Sequence, residues 1–309
     1  MGPCRTGPRS AVTVAAKFCV WSHDRWRIPL PDGHKFPIGK YERLRQRVEA
    51  EGVVIHESEP VPWEWLAAVH DDALLARIRA GEMTLREQRG LGLPWSEVLV
   101  ERGRRSVGGT LGAAGHAFAL GIGMNLGGGT HHAGRDFARG YCLFNDVAVT
   151  VARLREEGRA RRALVVDCDV HQGDGTAQIL GPDPDAFTLS LHGARNYPFE
   201  RIPSDLDVDL PSGTGDDDYL QALSDALDTA LEFDFDVAFY LAGADPWEGD
   251  RLGRLSLTKA GLRRRDEHVL KRLKPRAPVV VTLAGGYAPD VDDTVEINAA
   301  TVGVVRDLS

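Results

Sequence analysis

The sequence predicts an α/β protein built on one parallel sheet with helices on both faces. Short apolar runs rich in β-branched residues, at 163–166, 237–241 and 279–283, are typical of strands buried on both faces. Segments with helical periodicity separate these runs along the chain. Polar clusters follow directly after several of the strands, where ligands bind in folds of this class. We therefore expect a site at one edge of the sheet.

Composition narrows the classes of function. The chain has 309 residues, 43% of them hydrophobic, which is enough to bury the core of one large domain. We expect residues 17–309 to form a single domain and residues 1–16 to be a flexible N-terminal arm. A net charge of −8 argues against direct binding to nucleic acid, which needs a basic surface. No apolar run reaches the length of a membrane span.

Cysteine usage indicates the cellular compartment. The four cysteines include no C-x-x-C pair. Neither a disulfide framework nor a cysteine-based zinc site is therefore expected. A reducing compartment fits best, and we predict a cytoplasmic protein. The sequence carries no signal for an oligomeric state.

Strand and helix patterns alternate along the chain. Apolar and β-branched runs predict strands at 17–21, 53–56, 122–126, 163–166, 187–191, 237–241 and 279–283. Helical periodicity predicts helices at 41–51, 63–80, 96–120, 145–157, 173–180, 220–231 and 258–273. A long loop covers residues 192–218, and loops of that length in a compact domain are usually functional or mobile.

Three polar residues follow the predicted strand at 163–166. Because side chains alternate between the two faces of a strand, Asp167, Asp169 and His171 project to one side. Cys168 and Val170 project to the other. Two carboxylates and an imidazole buried together would lose hydration and repel unless a cation lies among them, and such donors suit Zn²⁺. A solvated strand end is the alternative that this motif alone leaves open.

Further polar clusters follow three other predicted strands. They contain the pair His131-His132 after a glycine-rich turn, Asp245 in A-G-A-D-P-W, and Tyr287 in A-G-G-Y. Because the carboxyl ends of parallel strands share one edge, these clusters can converge on one site. Each alone has a structural explanation, such as a core histidine pair or a turn aspartate. Their joint occurrence favours a functional site.

Together these motifs resemble the zinc-dependent deacetylases of the histone deacetylase superfamily, which implies a single-domain arginase/deacetylase-like fold. The matching motifs are G-G-G-T-H-H-A (127–133), Y-C-L-F-N-D (141–146), D-C-D-V-H-Q-G-D-G-T (167–176), S-L-H (190–192), A-G-A-D-P-W-E-G-D-R-L-G (242–253) and A-G-G-Y (284–287). H-K-F-P (34–37) and E-G-D-R-L-G-R-L-S (248–256) are most similar to the class IV-like bacterial branch. The resemblance covers the chain from about residue 17 to its end.

The resemblance implies two cation sites. One Zn²⁺ per chain would be bound by Asp169, His171 and Asp245, and three protein ligands with one open position are typical of a catalytic zinc. A structural monovalent cation, K⁺, would use Asp167 and Ser190 together with backbone carbonyl groups.

The resemblance also implies the catalytic residues. His132 would act as general base toward the water that zinc activates and later as acid to the leaving amine, with His131 as its electrostatic partner. Asp167 and Asp174 would bind the outer nitrogens of the two histidines, which orients the rings and raises their basicity. The Tyr287 hydroxyl would stabilise the oxyanion together with zinc.

The activity that the resemblance implies is zinc-dependent hydrolysis of the amide bond of an acylated lysine or a related acylated amine. Gly140 and Tyr141 match the wall of the narrow tunnel that takes the acylated lysine. An acyl-lysine protein or peptide, an acetylated polyamine and a small metabolite all present a neutral amide on an alkyl stem. The sequence leaves the choice among them open.

Two other functions compete with this one. A binuclear manganese ureohydrolase of the same fold needs further carboxylates two residues after His171 and two residues after Asp245. This chain has Gly173 and Trp247 there, and neither can bind a metal. A catalytically silent zinc-binding module would have no need of an intact histidine pair and Tyr287. The sequence therefore favours a single-metal hydrolase.

We also expect a long fatty acyl group to be preferred over acetyl. The class IV-like resemblance implies defatty-acylation. Small residues, Gly193 and Ala194, lie beside the predicted site, and Tyr197, Pro198 and Phe199 follow in a loop that could line an apolar cavity. Each buried methylene contributes about 0.8 kcal/mol. A few of them would outweigh the weak binding of a bare acetyl group.

Overall fold

A central sheet organises the protein, whose computed structural model describes residues 18–309. Its strands are β1 (Cys19–Ser22), β2 (Val54–Glu57), β3 (Ile122–Asn125), β4 (Ala163–Asp167), β5 (Ala186–Gly193), β6 (Leu206–Leu210), β7 (Val237–Leu241) and β8 (Val279–Thr282). Their order in the sheet is β2-β1-β3-β8-β7-β4-β5-β6, and every neighbouring pair is parallel. The predicted α/β class with one parallel sheet is confirmed.

Helices cover both faces of this sheet. They are α1 (Gly39–Ala50), α2 (Trp63–Ala67), α3 (Asp72–Ala80), α4 (Leu85–Leu91), α5 (Glu97–Leu120), α6 (Asp146–Glu156), α7 (Asp174–Leu180), α8 (Asp216–Ala230), α9 (Lys259–Leu273) and α10 (Val291–Leu308). Along β4, Leu164 and Val166 pack into the hydrophobic cluster on one face, and Ala163 and Val165 pack into the cluster on the other. Burial on both faces explains why the central strands are continuous apolar runs.

Predicted and observed elements differ in a few places. The helix predicted at 63–80 is two helices, because Asp71 accepts hydrogen bonds from the backbone N–H groups of Ala73 and Leu74 and caps α3. Helices α4 and α10 and strand β6 have no counterpart in the prediction. β6 lies at the edge of the sheet, and its L-D-V-D-L pattern lacks the apolar run that marks the central strands.

The expectations from composition fall partly outside the described residues. The predicted flexible arm, residues 1–16, lies outside them, as does Lys17. Between residues 18 and 309, no helix combines the length and the apolar character needed to cross a membrane. Cys19, Cys142 and Cys168 are buried with free thiols, which agrees with the absence of a disulfide framework from the sequence pattern.

The strand order brings four strand ends side by side. β3, β8, β7 and β4 are consecutive neighbours in the middle of the sheet. Each is followed by one of the polar clusters that the sequence indicates. Because all the strands are parallel, their carboxyl ends open at the same edge. The four clusters therefore meet at one place.

Candidate active site

Three buried side chains of the kind that bind metals meet at the carboxyl ends of β4 and β7. Ligand atoms of Asp169, His171 and Asp245 all lie within 4.8 Å of one another. His171 Nδ1 is 2.9 Å from Asp169 Oδ1 and 3.3 Å from Asp245 Oδ2. The structure thus brings together the three residues that the sequence suggests as metal ligands.

The side-chain alternation expected for this segment continues after the strand has ended. β4 stops at Asp167. Cys168 and Val170 are nevertheless fully buried in the hydrophobic core, while Asp169 and His171 point into the site. Residues 169–171 form a bend in which the His171 N–H donates to Asp169 Oδ1 at 2.9 Å, and this bend still leaves the two side chains on the same side of the chain.

The space among these side chains fits a metal ion. Asp245 Oδ2 is buried and accepts no hydrogen bond from any residue that the structure describes. A Cβ atom on Gly285 would lie 2.0 Å from Asp245 Oδ2 and 2.6 Å from Asp169 Oδ2, so the end of β8 approaches the carboxylates more closely than any side chain would allow. One nitrogen and two carboxylate donors are a ligand set that suits Zn²⁺.

Charge also favours a cation at this position. Burial by itself lowers the pKa of His171. The neighbouring carboxylates of Asp169 and Asp245 outweigh burial and raise the pKa of His171 to about 10. The group therefore stabilises positive charge at its centre, which a divalent metal ion would supply.

The histidine pair lies on the loop after β3, with each ring bonded to a buried carboxylate. The His131 and His132 ring centroids are 4.1 Å apart. His131 Nδ1 is 2.7 Å from Asp167 Oδ2, and His132 Nδ1 is 2.5 Å from Asp174 Oδ1. Arg139 also donates to Asp174, a partner that no sequence motif indicates. Each ring therefore keeps only Nε2 for a reacting molecule.

The two histidines have opposite pKa shifts. Burial lowers the pKa of both rings. For His131, the Asp167 and Asp169 carboxylates outweigh burial and raise the pKa to about 9. For His132, burial dominates and the charge on His131 lowers the pKa further, well below its ordinary value. These opposite shifts favour a proton on His131 and leave His132 as the ring that can accept one.

A buried aspartate without an assigned role in the sequence holds the histidine loop in place. Asp146, the first residue of α6, accepts hydrogen bonds from the backbone N–H groups of Gly129 (3.0 Å) and Thr130 (2.8 Å) and from Thr110 Oγ1 (2.6 Å). Gly128 and Gly129 have φ angles of 75° and 67°, which glycine adopts without strain. Asp146 lies in the motif Y-C-L-F-N-D, but only these contacts show its function.

Tyrosine rings stand around the metal-binding group. The ring centroids of Tyr141 and Tyr287 are 5.7 Å apart. The ring centroids of Tyr197 and His132 are 5.0 Å apart. Tyr141 is the tunnel residue that the resemblance implies. Tyr197 lies on the long loop after β5 and is a further wall residue, which the sequence indicates only through the aromatic character of that loop.

The predicted tunnel residues Gly140 and Tyr141 have an unusual backbone. Their φ angles are 57° and 67°, in the left-handed region. A Cβ atom at position 140 would lie 2.4 Å from His132 Cδ2. This position therefore requires glycine both to avoid a clash with His132 and to adopt the positive φ angle. Positive φ at a tyrosine costs about 1–3 kcal/mol, and such strain is concentrated at binding sites. The strained backbone sets the Tyr141 ring beside the site.

Tyr287 presents a protonated hydroxyl to the site. Its backbone N–H donates to Asp250 Oδ2 at 2.6 Å, which fixes the loop after β8. Burial and then the negative charges of Asp245 and Asp169 raise the pKa of Tyr287 well above its ordinary value. The phenol therefore keeps its proton and can donate a hydrogen bond.

Two cavities lead to this site. The outer cavity, which we call the mouth, has a volume of about 340 Å³, and the inner chamber has about 50 Å³. The residues that line both are His132, Gly140, Tyr141, His171 and Tyr287. The proposed reacting groups therefore stand at the boundary between a wide entrance and a small interior space.

The residues expected at the monovalent cation site are neighbours. Asp167 on β4 and Ser190 on β5 are partners in the register of the sheet, and both are buried. Ser190 Oγ is 2.9 Å from His192 Nδ1, and Asp167 Oδ1 accepts the Asp169 N–H at 3.0 Å. Binding of K⁺ there stays a prediction.

A buried arginine supports the two loops that carry Asp169 and Asp245. Arg265 on α9 is fully buried and donates to the backbone carbonyl groups of Cys168 (3.2 Å) and Gly243 (2.6 Å). These carbonyl groups lie one residue before Asp169 and two residues before Asp245. The basic composition of α9 suggests a surface helix, so sequence patterns conceal this contact.

Comparison with known proteins agrees with the fold. A family model described as histone deacetylase domain matches residues 34–302. The chain is 39% identical over 297 residues to an uncharacterized protein of Picosynechococcus sp., covering 94% of this chain and 99% of that protein. It is 34% identical over 212 residues to histone deacetylase 2 of Arabidopsis thaliana, covering 66% of this chain and 54% of that one. Acetylpolyamine aminohydrolase from Burkholderia pseudomallei has the same fold, with a TM-score of 0.79 at 20% identity over 94% of this chain and 98% of that one.

Fold and strand order define a protein of the arginase/deacetylase class. Because the family model covers most of its length, the chain belongs to the histone deacetylase family. The Picosynechococcus relative fits the bacterial branch that the motifs indicate. Membership makes the protein a hydrolase of that family, as the sequence predicts.

Proposed function

We propose that the protein is a zinc-dependent amidohydrolase that removes the acyl group from an acylated lysine or a related acylated amine. Family membership supports deacetylation as the reaction. The observation that carries the proposal is the convergence of a metal-binding group, a carboxylate-bonded histidine pair and a tyrosine at one chamber. A neutral amide on an alkyl stem suits an entrance walled by tyrosine rings.

Asp169, His171 and Asp245 would hold the zinc ion. When bound, zinc supplies a Lewis acid that acidifies a water molecule and polarises the acyl carbonyl group. Within residues 18–309 no second group of three potential ligands occurs. A Cβ atom at Gly173 would lie 2.5 Å from Asp167 Oδ2, so that position has no room for the extra carboxylate of a binuclear site. One metal ion per chain is therefore expected.

The chain's own residues supply the proton transfers. His132 takes the proton of the attacking water at Nε2, because its Nδ1 is bonded to Asp174. The same ring then donates this proton to the amine nitrogen as the C–N bond breaks. The Tyr287 hydroxyl donates to the carbonyl oxygen as negative charge develops there, and the charged His131 ring stabilises the same charge.

An acetyl group or a similarly short acyl group fits the inner chamber best. Its volume is about 50 Å³, compared with about 340 Å³ for the mouth. Gly193, Ala194 and Pro198 line neither cavity, and Tyr197 and Phe199 line the mouth instead of the inner chamber. These loop residues therefore give no support to the long-chain preference expected from the sequence, which stays a prediction.

A substrate series tests both the reaction and the acyl length. The zinc-loaded protein is assayed with one peptide that carries acetyl-, butyryl-, octanoyl- or myristoyl-lysine, and with acetylpolyamines. We expect kcat/KM to be highest for a short acyl group. No release from any substrate would contradict the deacylase proposal and favour a silent zinc-binding module. A rate that rises to myristoyl would restore the long-chain expectation.

Substitution of Tyr287 tests its role in catalysis. Tyr287→Phe should lower kcat by about 10² to 10³, the usual cost of losing one donor to an oxyanion. Because the ring is retained, zinc content and Tm should stay at their wild-type values. Elemental analysis and thermal unfolding provide these two controls. An unchanged kcat would reject the proposed hydrogen bond.

A further inference from the structure

We propose that the mouth selects substrates with a negative charge on the amine side of the scissile amide, an inference that rests on the deacylase function proposed above. Three arginines line the mouth, Arg89, Arg195 and Arg254, and its lining contains no Asp or Glu. The mouth also reaches the histidines and the tyrosine of the site. The part of a substrate that remains in the mouth during hydrolysis therefore lies among guanidinium groups.

These three guanidinium groups are available to a ligand. All three residues are exposed, and none forms an ion pair or a side-chain hydrogen bond with the rest of the described chain. Residues 1–17 contain no Asp or Glu, so that segment offers no carboxylate side chain.

Two acidic residues near the mouth, Glu87 and Asp209, are paired with other arginines, whereas Glu200 and Asp250 form no ion pair within the described chain. Glu87, on the same helix as Arg89, binds Arg77 at 2.6 Å. Asp209 binds Arg201, which shares the long loop with Arg195. The three arginines of the mouth therefore have no carboxylate partner within residues 18–309, although Asp250 lies beside the mouth and accepts hydrogen bonds from the backbone N–H groups of Leu252 and Tyr287.

The positive mouth contrasts with the charge of the whole chain, which is −8. At physiological salt, charges more than about 8 Å away are largely screened. The local arginines therefore dominate what a substrate encounters in the mouth. Guanidinium groups bind carboxylates and phosphates through paired N–H donors. Polycationic acylated amines would be repelled, and repulsion of this kind is a common basis of specificity.

The mouth also offers apolar contact beside the charge. The Phe199 side chain is 86% exposed there, and its ring is 6.3 Å from Tyr197. An exposed aromatic ring next to unpaired arginines fits a ligand that has an alkyl stem and an anionic end. This chemistry is shared by an acyl-lysine with acidic neighbours and by a small acylated amine that carries a carboxylate.

A matched peptide set tests the proposal. Three peptides differ only in the residues that flank acetyl-lysine, which are Glu, Gln or Lys. We expect kcat/KM to be about tenfold higher for the Glu peptide than for the Gln peptide, the combined effect of several exposed ion pairs, and lower still for the Lys peptide. The advantage should decrease as salt concentration rises. An N-acetylated amino carboxylate and an acetylpolyamine, assayed in parallel, distinguish a small-molecule anion from an acidic peptide segment.

Variants connect the preference to the arginines. Replacing Arg89, Arg195 and Arg254 with Gln should bring the Glu-to-Gln peptide ratio close to one. Arg86→Gln is the matched control, because Arg86 is an exposed arginine on α4 that does not line the mouth. It should keep the wild-type ratio. Each single substitution in the mouth should lower the ratio about twofold. The single variants therefore provide the test if the triple variant does not fold.

The outcomes separate the two proposals. Cleavage of the Gln peptide without any advantage for the Glu peptide would overturn the charge selection and leave the deacylase function standing. Loss of the preference in Arg86→Gln, or its persistence in the triple variant, would also overturn it. Cleavage of none of the peptides or small amines would reject the deacylase function and this inference with it.

Discussion

Addition of one methyl group at Gly285 is the sharpest test of the metal site. The Gly285 N–H donates to Asp169 Oδ2 at 2.7 Å. In Gly285→Ala, the new Cβ would lie 2.0 Å from Asp245 Oδ2 and 2.6 Å from Asp169 Oδ2. Contacts below 3.0 Å are essentially never seen for a real Cβ atom, so the Asp245 carboxylate would have to move by about 1 Å.

The size of the effect follows from that displacement. A shift of about 1 Å in a catalytic arrangement costs on the order of 10² in rate. Because Asp169 and Asp245 are two of the three proposed ligands, the metal affinity should fall as well. The φ angle at Gly285 is outside the left-handed region, so the backbone can accept alanine. Gly285→Ala should therefore lower the metal content and the activity more than it lowers the stability of the fold.

The assay compares metal per chain after dialysis, kcat/KM and Tm. Gly115→Ala is the control, since a Cβ atom at this position on α5 would meet nothing within 4 Å. Alanine in place of a helical glycine stabilises by about 1 kcal/mol, so the control should keep its metal and activity with an equal or higher Tm. A Gly285→Ala protein with one equivalent of metal and wild-type activity would show that the geometry of the site is misjudged.

Two further substitutions test the surroundings of the site. Burial outweighs the hydrogen bond from His70 to the Gly134 carbonyl oxygen and lowers the pKa of His70 to about 4. Below pH 6.5 the unfolded chain therefore binds a proton that the folded chain does not. The free energy of unfolding should fall by about 2 kcal/mol between pH 7 and pH 5 because of this group. In His70→Gln, urea unfolding should show a decrease that is smaller by this amount. Arg265→Met would leave the buried Asp266 carboxylate, 2.8 Å from Arg265, unpaired. It should lower the free energy of unfolding by about 3–5 kcal/mol, whereas the exposed Arg264→Met should change it by no more than about 0.5 kcal/mol. If the stability of His70→Gln changed with pH as much as that of the wild type, the expectation for His70 would be contradicted. Equal stabilities of Arg265→Met and Arg264→Met would contradict the expectation for Arg265.

Local patterns in the sequence were enough to predict the central strands and the chemical types of the site residues. A strand buried on both faces must be apolar throughout, so β4, β7 and β8 are visible as short runs. Side-chain alternation is also local, and it correctly put Asp169 and His171 on the same side of the chain. β6 was missed because an edge strand does not need an apolar run.

Only the tertiary structure decided which of these residues meet. The order β3-β8-β7-β4 makes neighbours of strands that are far apart in the chain, and no short window of sequence contains that order. Short sequence windows also hide Arg265, which reaches the loops that carry Asp169 and Asp245 from a helix whose composition suggests the surface. They also hide the arginines of the mouth, which come from three separate segments. The size of the inner chamber likewise depends on how side chains pack around it, and no local sequence pattern shows it. Residue types are a property of the chain, whereas distances between distant residues are set by the packing of the whole sheet and its helices.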